Sequence, residues 1–390
     1  MSGGPRLLAV SNGHGEDEIA CRVLDALRPR VPGLRVEAWA MVGRGAAYRA
    51  RGVPVVGPAN LLPSEGFGTL GLRSFLRDLA AGFVSTHWRQ ILHARGLRGR
   101  HDVLLGVGDV VPLAAAWLSG TPMAFVASAK SAYYVAPDGH TALERRLMRR
   151  WCVEVFPPDA RTAEGFARTG VPCRPAGNPM MDGLGAEEAV WPLPPGAVGV
   201  AMLAGSRADA TENALFLLAA AARLAEAAEA PARLRFLFPL HPSVDRGRLA
   251  GAPGWRAEGG RLSHPSGAEA AAEAGVLGPM LRASTLAVGL AGTANEQAIG
   301  LGLPLVTAPG AGNQGPAYVR MKMAFFGEAA LAAPRDTEAV AAAVRGLLAD
   351  PARRARMAAA GRERMGGPGA SAAIAEVIAA RLRTPAGGAR

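Results

Sequence analysis

Short apolar runs alternate with amphipathic segments along most of the chain, and this alternation predicts strands followed by helices. The runs are rich in small and branched apolar residues, as in parallel strands that are buried on both faces. In the first half the predicted strands are Arg6–Val10, Arg35–Met41, Val53–Val56, Val103–Val107, Met123–Val126 and Cys152–Phe156. In the second half they include Val198–Leu203, Leu234–Phe238, Thr285–Leu290 and Leu303–Thr307. This order of elements predicts doubly wound α/β domains with parallel sheets.

Residues 175–195, rich in proline and glycine, interrupt the alternation and indicate an interdomain linker. We therefore predict a first domain of residues 1–178, a linker of residues 179–196, a second domain of residues 197–365 and a C-terminal helix and tail over residues 366–390. A length of 390 residues also favours two domains over one core.

The chain is basic, with a formal net charge of +11, and residues 1–180 hold most of the excess, with 22 Lys and Arg against 14 Asp and Glu. Such a surface favours anionic partners. The chain shows no pattern typical of a nucleic-acid-binding domain, and we expect no nucleic-acid partner. The three cysteines lack CxxC spacing, and neither a signal peptide nor a long apolar run is evident. We therefore expect a cytoplasmic location.

Four glycine-containing loops follow predicted strands, and in parallel sheets such loops face the ligand crevice. Their sequences are SNGHGED at residues 11–17, GVGD at 106–109, AGSR at 204–207 and the longer stretch VGLAGTANEQAIGLGLPLVTAPGAGNQ at 288–314. With two domains, we expect these loops to open into a central cleft between them.

The stretch at 288–314 reads as strand, small-residue turn, helix and strand. Gly292 and Thr293 form the turn, where unpaired backbone N–H groups and the helix dipole favour an anion. Glu296 lies one turn into the helix, where a carboxylate can accept hydrogen bonds from the two hydroxyls of a ribose. The alternative is that Glu296 is simply an acid favoured by the helix dipole.

The order of these motifs resembles the GT-B glycosyltransferases, which have two Rossmann-like domains, and in particular lipid-A-disaccharide synthase and its relatives. The resemblance rests on Ala176-Gly-Asn-Pro-Met-Met-Asp182, Leu203-Ala-Gly-Ser-Arg207, Ala291-Gly-Thr-Ala-Asn-Glu296, a late Gln314 and the aromatic segment Ser131-Ala-Tyr-Tyr-Val135. Two departures, the first loop at 11–17 and a missing Trp-rich continuation, both lie on the acceptor side.

This resemblance implies an inverting glycosyltransferase that moves a GlcNAc-type sugar from a UDP-sugar to a membrane lipid or lipid-linked acceptor. It implies no cofactor, and the absence of a DxD acid pair implies no metal. The candidate nucleotide-sugar-binding residues are Gly205, Ser206, Arg207, His241, Gly292, Thr293, Glu296 and Gln314.

Three residues are candidates for the chemistry. Arg207 can bind two oxygens of the leaving diphosphate with its planar guanidinium, although it can also be an ordinary surface arginine. Asp109 or His14 can act as the general base that accepts the proton of the acceptor hydroxyl. Asp109 can equally be the N-cap of the following helix, and His14 can be structural.

Residues 72–100 mix apolar and basic side chains in a helical pattern, including Arg73, Arg77, Trp88 and Arg89. A basic amphipathic helix with tryptophan fits an anionic membrane surface, so we expect peripheral binding at the inner face of the cell membrane. The alternative is a helix that packs on the core and exposes a solvated basic face.

Two other functions remain open. UDP-sugar 2-epimerases share this architecture and have a similar strand–His–Pro segment, here ending at His241-Pro242. The second is a catalytically silent GT-B protein that binds a nucleotide-sugar or a membrane.

Overall fold

The computed structural model describes residues 4–59, 83–186, 188–227, 233–312 and 314–383, with side chains from residue 88 onward in the helix that begins at Phe83. These residues form two compact units. Unit 1 comprises residues 1–182 and 368–390, and unit 2 comprises residues 183–367.

Unit 1 contains a five-stranded sheet in which neighbouring strands run parallel, in the order β2-β1-β3-β4-β5. Its strands are β1 (Arg6–Ser11), β2 (Arg35–Ala40), β3 (Val103–Val107), β4 (Met123–Val126) and β5 (Cys152–Phe156). Its helices in the first part of the chain are α1 (His14–Leu27), α2 (Ala46–Ala50), α3 (Phe83–Gly96), α4 (Val110–Ser119), α5 (Ala142–Trp151) and α6 (Ala160–Arg168). The order of strands reverses between β1 and β3, which is where doubly wound sheets bind ligands.

The predicted strand Val53–Val56 is wrong. In the described part of this segment, Val55 contributes an isolated bridge to Ala38 of β2. Pro54 accepts a hydrogen bond from the backbone of Ala38 but has no N–H to donate, which limits the pairing.

Unit 2 contains an eight-stranded sheet in the order β13-β12-β11-β6-β7-β10-β9-β8. Its strands are β6 (Val198–Leu203), β7 (Leu234–Leu240), β8 (Arg256–Glu258), β9 (Arg261–Ser263), β10 (Glu269–Ala274), β11 (Ser284–Gly289), β12 (Leu305–Thr307) and β13 (Ala330–Ala332). Its helices are α7 (Ala210–Glu226), α8 (Arg246–Ala250), α9 (Leu277–Arg282), α10 (Thr293–Gly300), α11 (Pro316–Phe326), α12 (Thr337–Ala349) and α13 (Pro351–Met365).

The strands from β13 to β10 pair in parallel, and the short β8–β9 hairpin is added antiparallel at one edge. The parallel part has the strand order of a dinucleotide-binding Rossmann sheet, and its order reverses between β6 and β11. The loops after these two strands carry the GSR motif and the turn before Glu296, so both predicted donor loops lie at the switch point of unit 2.

The last helix, α14 (Ala370–Arg383), belongs to unit 1 although it follows unit 2 in sequence. Its apolar face, which includes Ile374 and Ile378, is fully buried in the same core as Leu7 and Ile19. The carboxylate of Asp182 accepts hydrogen bonds from the backbone N–H groups of Gly369 and Ser371, the latter at 2.6 Å, and so caps the start of this helix.

Candidate functional site

The loops after β6 and β11 lie against each other in unit 2. Gly205 has a φ of +91°, a conformation that side chains disfavour. A Cβ atom at Gly205 would lie 3.7 Å from the Cα atom of Ala291. The GSR loop and the Ala291-Gly-Thr turn are therefore neighbours.

Polar side chains fix the backbone where β11 ends. The carbonyl of Gly289 accepts hydrogen bonds from Asn295 Nδ2 at 3.2 Å and from Thr307 Oγ1 at 2.8 Å. A side chain at Gly289 would collide with that of Asn295. These contacts hold the N-terminus of α10, whose N-cap is Gly292, in a defined position relative to the sheet.

Gly292 faces the glycine-rich loop that precedes α11. A Cβ atom at Gly292 would lie 3.4 Å from Gln314 Nε2 and 3.4 Å from Tyr318 Oη. Gln314 is buried, and the same residue closes its loop through a 2.8 Å hydrogen bond from the Gly310 N–H to the Gln314 carbonyl. The predicted residues Gly292, Thr293 and Gln314 are thus brought together, and Tyr318 joins them.

Glu296 lies in the first turn of α10 and is only 6% exposed. Its Oε1 atom accepts a 2.8 Å hydrogen bond from Lys322 Nζ in α11, and the two form an ion pair. Lys322 Nζ also lies 5.9 Å and 5.5 Å from the ring centroids of Tyr318 and Phe325. A small cavity lined in part by Asn295, Gln314, Tyr318 and Lys322 adjoins this pair. The carboxylate is therefore positioned and charge-compensated.

The loop at residues 309–312 is anchored to the segment that follows the GSR motif. Asp209 Oδ2 accepts hydrogen bonds from the Gly312 N–H at 3.0 Å and from Asn213 Nδ2 at 3.1 Å. Asn213 Oδ1 accepts from the Ala311 N–H at 2.9 Å and from Arg335 Nη1 at 3.1 Å. Sequence reasoning missed these residues, because nothing local in the sequence links positions about a hundred residues apart.

His241 is connected to the GSR loop through Ser243. The Ser243 N–H donates to His241 Nδ1 at 3.2 Å, so the proton of the neutral ring lies on Nε2. Ser243 Oγ lies 2.9 Å from the same Nδ1 and donates a 3.1 Å hydrogen bond to the Ser206 carbonyl. Two predicted donor-site residues are thus joined by a serine that the sequence analysis did not single out.

Arg207 follows Ser206 and is half-buried. Its carbonyl accepts a 3.0 Å hydrogen bond from the Ala210 N–H, so its backbone forms part of the start of α7. The predicted arginine therefore lies on the same loop as Gly205 and Ser206, at the switch point of unit 2.

In unit 1, the loops after β1 and β3 meet at Asp109. Asn12 Nδ2 donates a 2.7 Å hydrogen bond to Asp109 Oδ1, which also accepts from the Val111 N–H at 2.9 Å. Asp109 is thus the N-cap of α4. Gly108 has a φ of +129°, and a side chain there would collide with that of Asn12.

Burial raises the pKa of the Asp109 carboxyl, while the Val111 N–H and the charge of Lys130 oppose this rise. Lys130 Nζ itself forms a 2.6 Å ion pair with Glu144 Oε1. A carboxylate with a raised pKa is a stronger base than an ordinary one. The N-cap role of Asp109 is therefore established, and its environment is compatible with a second role as a base.

His14 is the first residue of α1 and is exposed. Its ring lies next to Gly43 in the loop after β2, where a Cβ atom would lie 3.3 Å from His14 Nδ1. His14 therefore lies at the same edge of the sheet as Asp109, because β1 and β3 are neighbouring strands.

A buried polar cluster lies beneath this loop and was missed in the sequence. Ser11 Oγ donates a 2.6 Å hydrogen bond to Asp17 Oδ1 and lies 2.7 Å from Tyr48 Oη. Burial raises the pKa of Asp17 from 3.8 to about 7, and the Ser11 hydrogen bond opposes this rise. The alternation of polar residues in SNGHGEDE gave no sign that Asp17, rather than Glu16, points inward.

Helix α3 carries part of the predicted membrane-facing segment. Ala94 and Leu97 pack in the core, whereas Trp88 is 58% exposed, Leu92 is 51% exposed and Arg89 is also exposed. Trp117 of the adjacent helix α4 is 54% exposed. The predicted residues Arg73 and Arg77 lie outside the described residues. Across the described helices, none is both long enough and apolar enough to cross a membrane.

The chain is similar to several solved structures over nearly its whole length. The glycotransferase of kitacinnamycin matches with a TM-score of 0.62 at 18% identity, over 98% of this chain and 100% of that chain. A putative UDP-N-acetylglucosamine 2-epimerase from Listeria monocytogenes matches with a TM-score of 0.61 at 16% identity, over 97% of each chain. MurG from Acinetobacter baumannii matches with a TM-score of 0.60 at 15% identity, over 96% of this chain and 99% of that chain.

No family model matches the chain, and no curated protein matches it in sequence. At identities below a fifth, the structural similarity shows the fold alone. The resemblance to lipid-A-disaccharide synthase itself stays a prediction. The predicted fold class is confirmed: the chain is an α/β protein with two Rossmann-like domains, the GT-B architecture that glycosyltransferases and UDP-N-acetylglucosamine 2-epimerases share.

Proposed function

We propose that the protein is an inverting, metal-independent glycosyltransferase that takes a GlcNAc-type sugar from a UDP-sugar. The observation that carries the proposal is the composition of the switch point in unit 2. There, the GSR loop, the N-terminus of α10 and the buried Glu296 lie next to one another. This combination provides hydrogen-bond donors for a diphosphate and a hydrogen-bond acceptor for ribose hydroxyls within one Rossmann-like unit.

The donor site uses each group for a different part of the nucleotide-sugar. Glu296 accepts hydrogen bonds from the ribose, and the N–H groups around Gly292 and Thr293 bind the diphosphate. Arg207 stabilises the negative charge that grows on the diphosphate as the bond to the sugar breaks. The Nε2–H group of His241 adds a hydrogen-bond donor beside Ser206, and Gln314 binds sugar hydroxyls.

Unit 1 supplies the acceptor side. Asp109 accepts the proton of the attacking hydroxyl in a single displacement, which inverts the configuration at the sugar carbon. Its burial and raised pKa favour that role, because they make the carboxylate a better proton acceptor. His14, at the same sheet edge, is the second candidate for the base.

The acceptor is a membrane lipid or a lipid-linked molecule. Trp88, Leu92 and Trp117 expose apolar surface on the adjacent helices α3 and α4, and Arg89 and Arg95 of α3 are exposed as well. Aromatic and basic side chains together fit the interface of an anionic bilayer. A protein that bound there would meet its acceptor in the membrane.

The decisive experiment incubates the protein with UDP-GlcNAc, with and without total lipid extract and with EDTA in parallel. Release of UDP that requires lipid and survives EDTA is the expected result. Release of UDP that requires an added divalent metal would refute the metal-independent mechanism. UDP binding without any product would instead leave a silent binding protein.

One observation favours a second candidate, a UDP-sugar 2-epimerase. His241-Pro242 follows β7 directly, and His241 is linked through Ser243 to the GSR loop. This strand–His–Pro segment is the one that resembles those enzymes. Conversion of UDP-GlcNAc to UDP-ManNAc without lipid would establish this reaction and exclude transfer.

The ribose role of Glu296 has its own test. Glu296→Ala should weaken the binding of uridine by on the order of tenfold or more, since ribose hydroxyls lose a charged acceptor. NMR titration of uridine measures this affinity. Glu338→Ala removes an exposed, ion-paired glutamate from the same unit and is the matched control. Equal uridine affinity in both variants would remove Glu296 from the ribose site.

A further inference from the structure

The two lysines of this chain make the same kind of contact. Lys130 and Lys322 are the only lysines, and all other basic side chains with permanent charge are arginines. Lys130 Nζ binds Glu144 Oε1 at 2.6 Å, and Lys322 Nζ binds Glu296 Oε1 at 2.8 Å. Each glutamate lies in the first turn of a helix and is buried. Both ammonium groups of this arginine-rich chain therefore pair with a buried glutamate in the first turn of a helix.

The pair Lys322–Glu296 lies where an anion is expected to bind. Glu296 is in the first turn of α10, and the N-terminus of that helix favours a diphosphate. A carboxylate without a counter-ion at this place would repel the same diphosphate. The Lys322 side chain is 16% exposed and that of Glu296 is 8% exposed, so water screens their charges weakly.

Lys322 still leaves the carboxylate able to bind hydroxyls. It contacts Oε1, and an ionised carboxylate has lone pairs on both oxygens. The ammonium is itself fixed between α10 and the aromatic rings of Tyr318 and Phe325. One side chain therefore orients Glu296 and neutralises it at the same time.

We propose that Lys322 is a charge-compensating and positioning residue of the donor site, and that it makes the site select a nucleoside diphosphate over the bare nucleoside. This inference rests on the proposed function, because it takes the ligand to be a uridine nucleotide. Glu296 binds the ribose hydroxyls. Lys322 compensates the negative charge of Glu296, so that this carboxylate does not repel the diphosphate of the same ligand.

The test measures the dissociation constants of UDP and uridine for the wild type and three variants: Lys322→Met, Glu296→Gln and the double variant. The ratio of the two constants isolates the effect of charge, because ribose contacts enter both. For two unit charges about 8 Å apart at an effective dielectric constant of about 20, the ratio should change on the order of 30-fold.

The expected signs differ between the variants. Lys322→Met removes the positive charge beside the Glu296 carboxylate and should lower the preference for UDP, whereas Glu296→Gln removes the negative charge beside the Lys322 ammonium and should raise it. The double variant has neither charge and should return to within about threefold of the wild-type preference. Arg345→Met breaks an ion pair with Glu338 elsewhere in unit 2 and should leave the preference unchanged.

Two failures can be told apart. If the wild type does not bind UDP, the proposed function fails and the inference fails with it. If the wild type binds UDP but both constants change in parallel in Lys322→Met and Glu296→Gln, only the inference is overturned, and the pair is a purely structural contact. Should Lys322→Met fail to fold, Glu296→Gln and the double variant still decide, because the inference requires their preferences for UDP to differ on the order of 30-fold.

Discussion

Replacing the buried Asp17 by asparagine should remove a pH-dependent loss of stability. Asp17 is 1% exposed, and burial raises its pKa from 3.8 to about 7, in spite of the hydrogen bond from Ser11. A raised pKa means that the folded state binds this proton more tightly than the unfolded state does. The resulting stabilisation is fully present below pH 3.8 and is lost as the pH rises through 7.

The size of the effect follows from the shift. Between these two values the wild type loses about 1.4 kcal/mol of its free energy of unfolding for each pH unit, or about 4 kcal/mol in all. Asp17→Asn does not titrate, and its amide oxygen can still accept the hydrogen bond from Ser11. Relative to the wild type, the variant should therefore gain about 4 kcal/mol in stability between pH 4 and pH 8.

Thermal unfolding followed by circular dichroism at pH 5, 6, 7 and 8 tests this prediction. From pH 5 to pH 8, the melting temperature of Asp17→Asn should rise relative to wild type by about 5 to 10 °C, given about 2.7 kcal/mol over that interval. Asp25→Asn, which removes an exposed carboxylate from the same helix, is the control. A constant difference between Asp17→Asn and wild type at all four pH values would refute the reasoning.

Four further predictions concern the two candidate sites, the loop at residues 309–312 and the exposed surface of α3 and α4. Arg207→Ala should lower kcat on the order of 10²-fold at saturating donor, as measured by UDP release, and an unchanged kcat would exclude a role in stabilising the leaving group. Asp109→Asn keeps a good N-cap, so its melting temperature should stay within a few degrees of wild type while turnover falls; equal turnover would leave Asp109 as a cap alone. Asp209→Ala should destabilise the anchored loop at residues 309–312 by about 1–2 kcal/mol, seen as faster hydrogen exchange of its amides, and unchanged exchange would contradict the anchoring role. Trp88→Ser combined with Trp117→Ser should weaken binding to anionic vesicles in a flotation assay, and equal binding would place the membrane contact elsewhere.

Most strands of both sheets could be predicted, because buried parallel strands are continuous apolar runs. Val103–Val107 and Met123–Val126 have the predicted bounds. The strand β10, by contrast, has the sequence EAAAEA, which favours a helix. It is extended because it pairs with β7 on one side and β9 on the other, a tertiary effect that no local pattern reports.

The same distinction applies to the candidate site. The loops with Gly205 and Gly292 were predictable, because glycine after a buried strand marks the ligand edge of a parallel sheet. The contacts that complete the site were not. Lys322 reaches Glu296 from the next helix, and Asp209 reaches across about a hundred residues of sequence to Gly312. Such contacts depend on how elements pack, and the local sequence has no period or motif that encodes them.

The position of α14 affects the order in which the two units can fold during synthesis. Unit 1 begins at the N-terminus, but its core includes Ile374 and Ile378 from the end of the chain, and Asp182 can cap α14 only after residue 371 has left the ribosome. Unit 2 lies wholly between these segments, so all of its residues emerge before unit 1 is complete. During synthesis the second unit can therefore finish folding first, and the core of unit 1 is complete only after the last helix has been made.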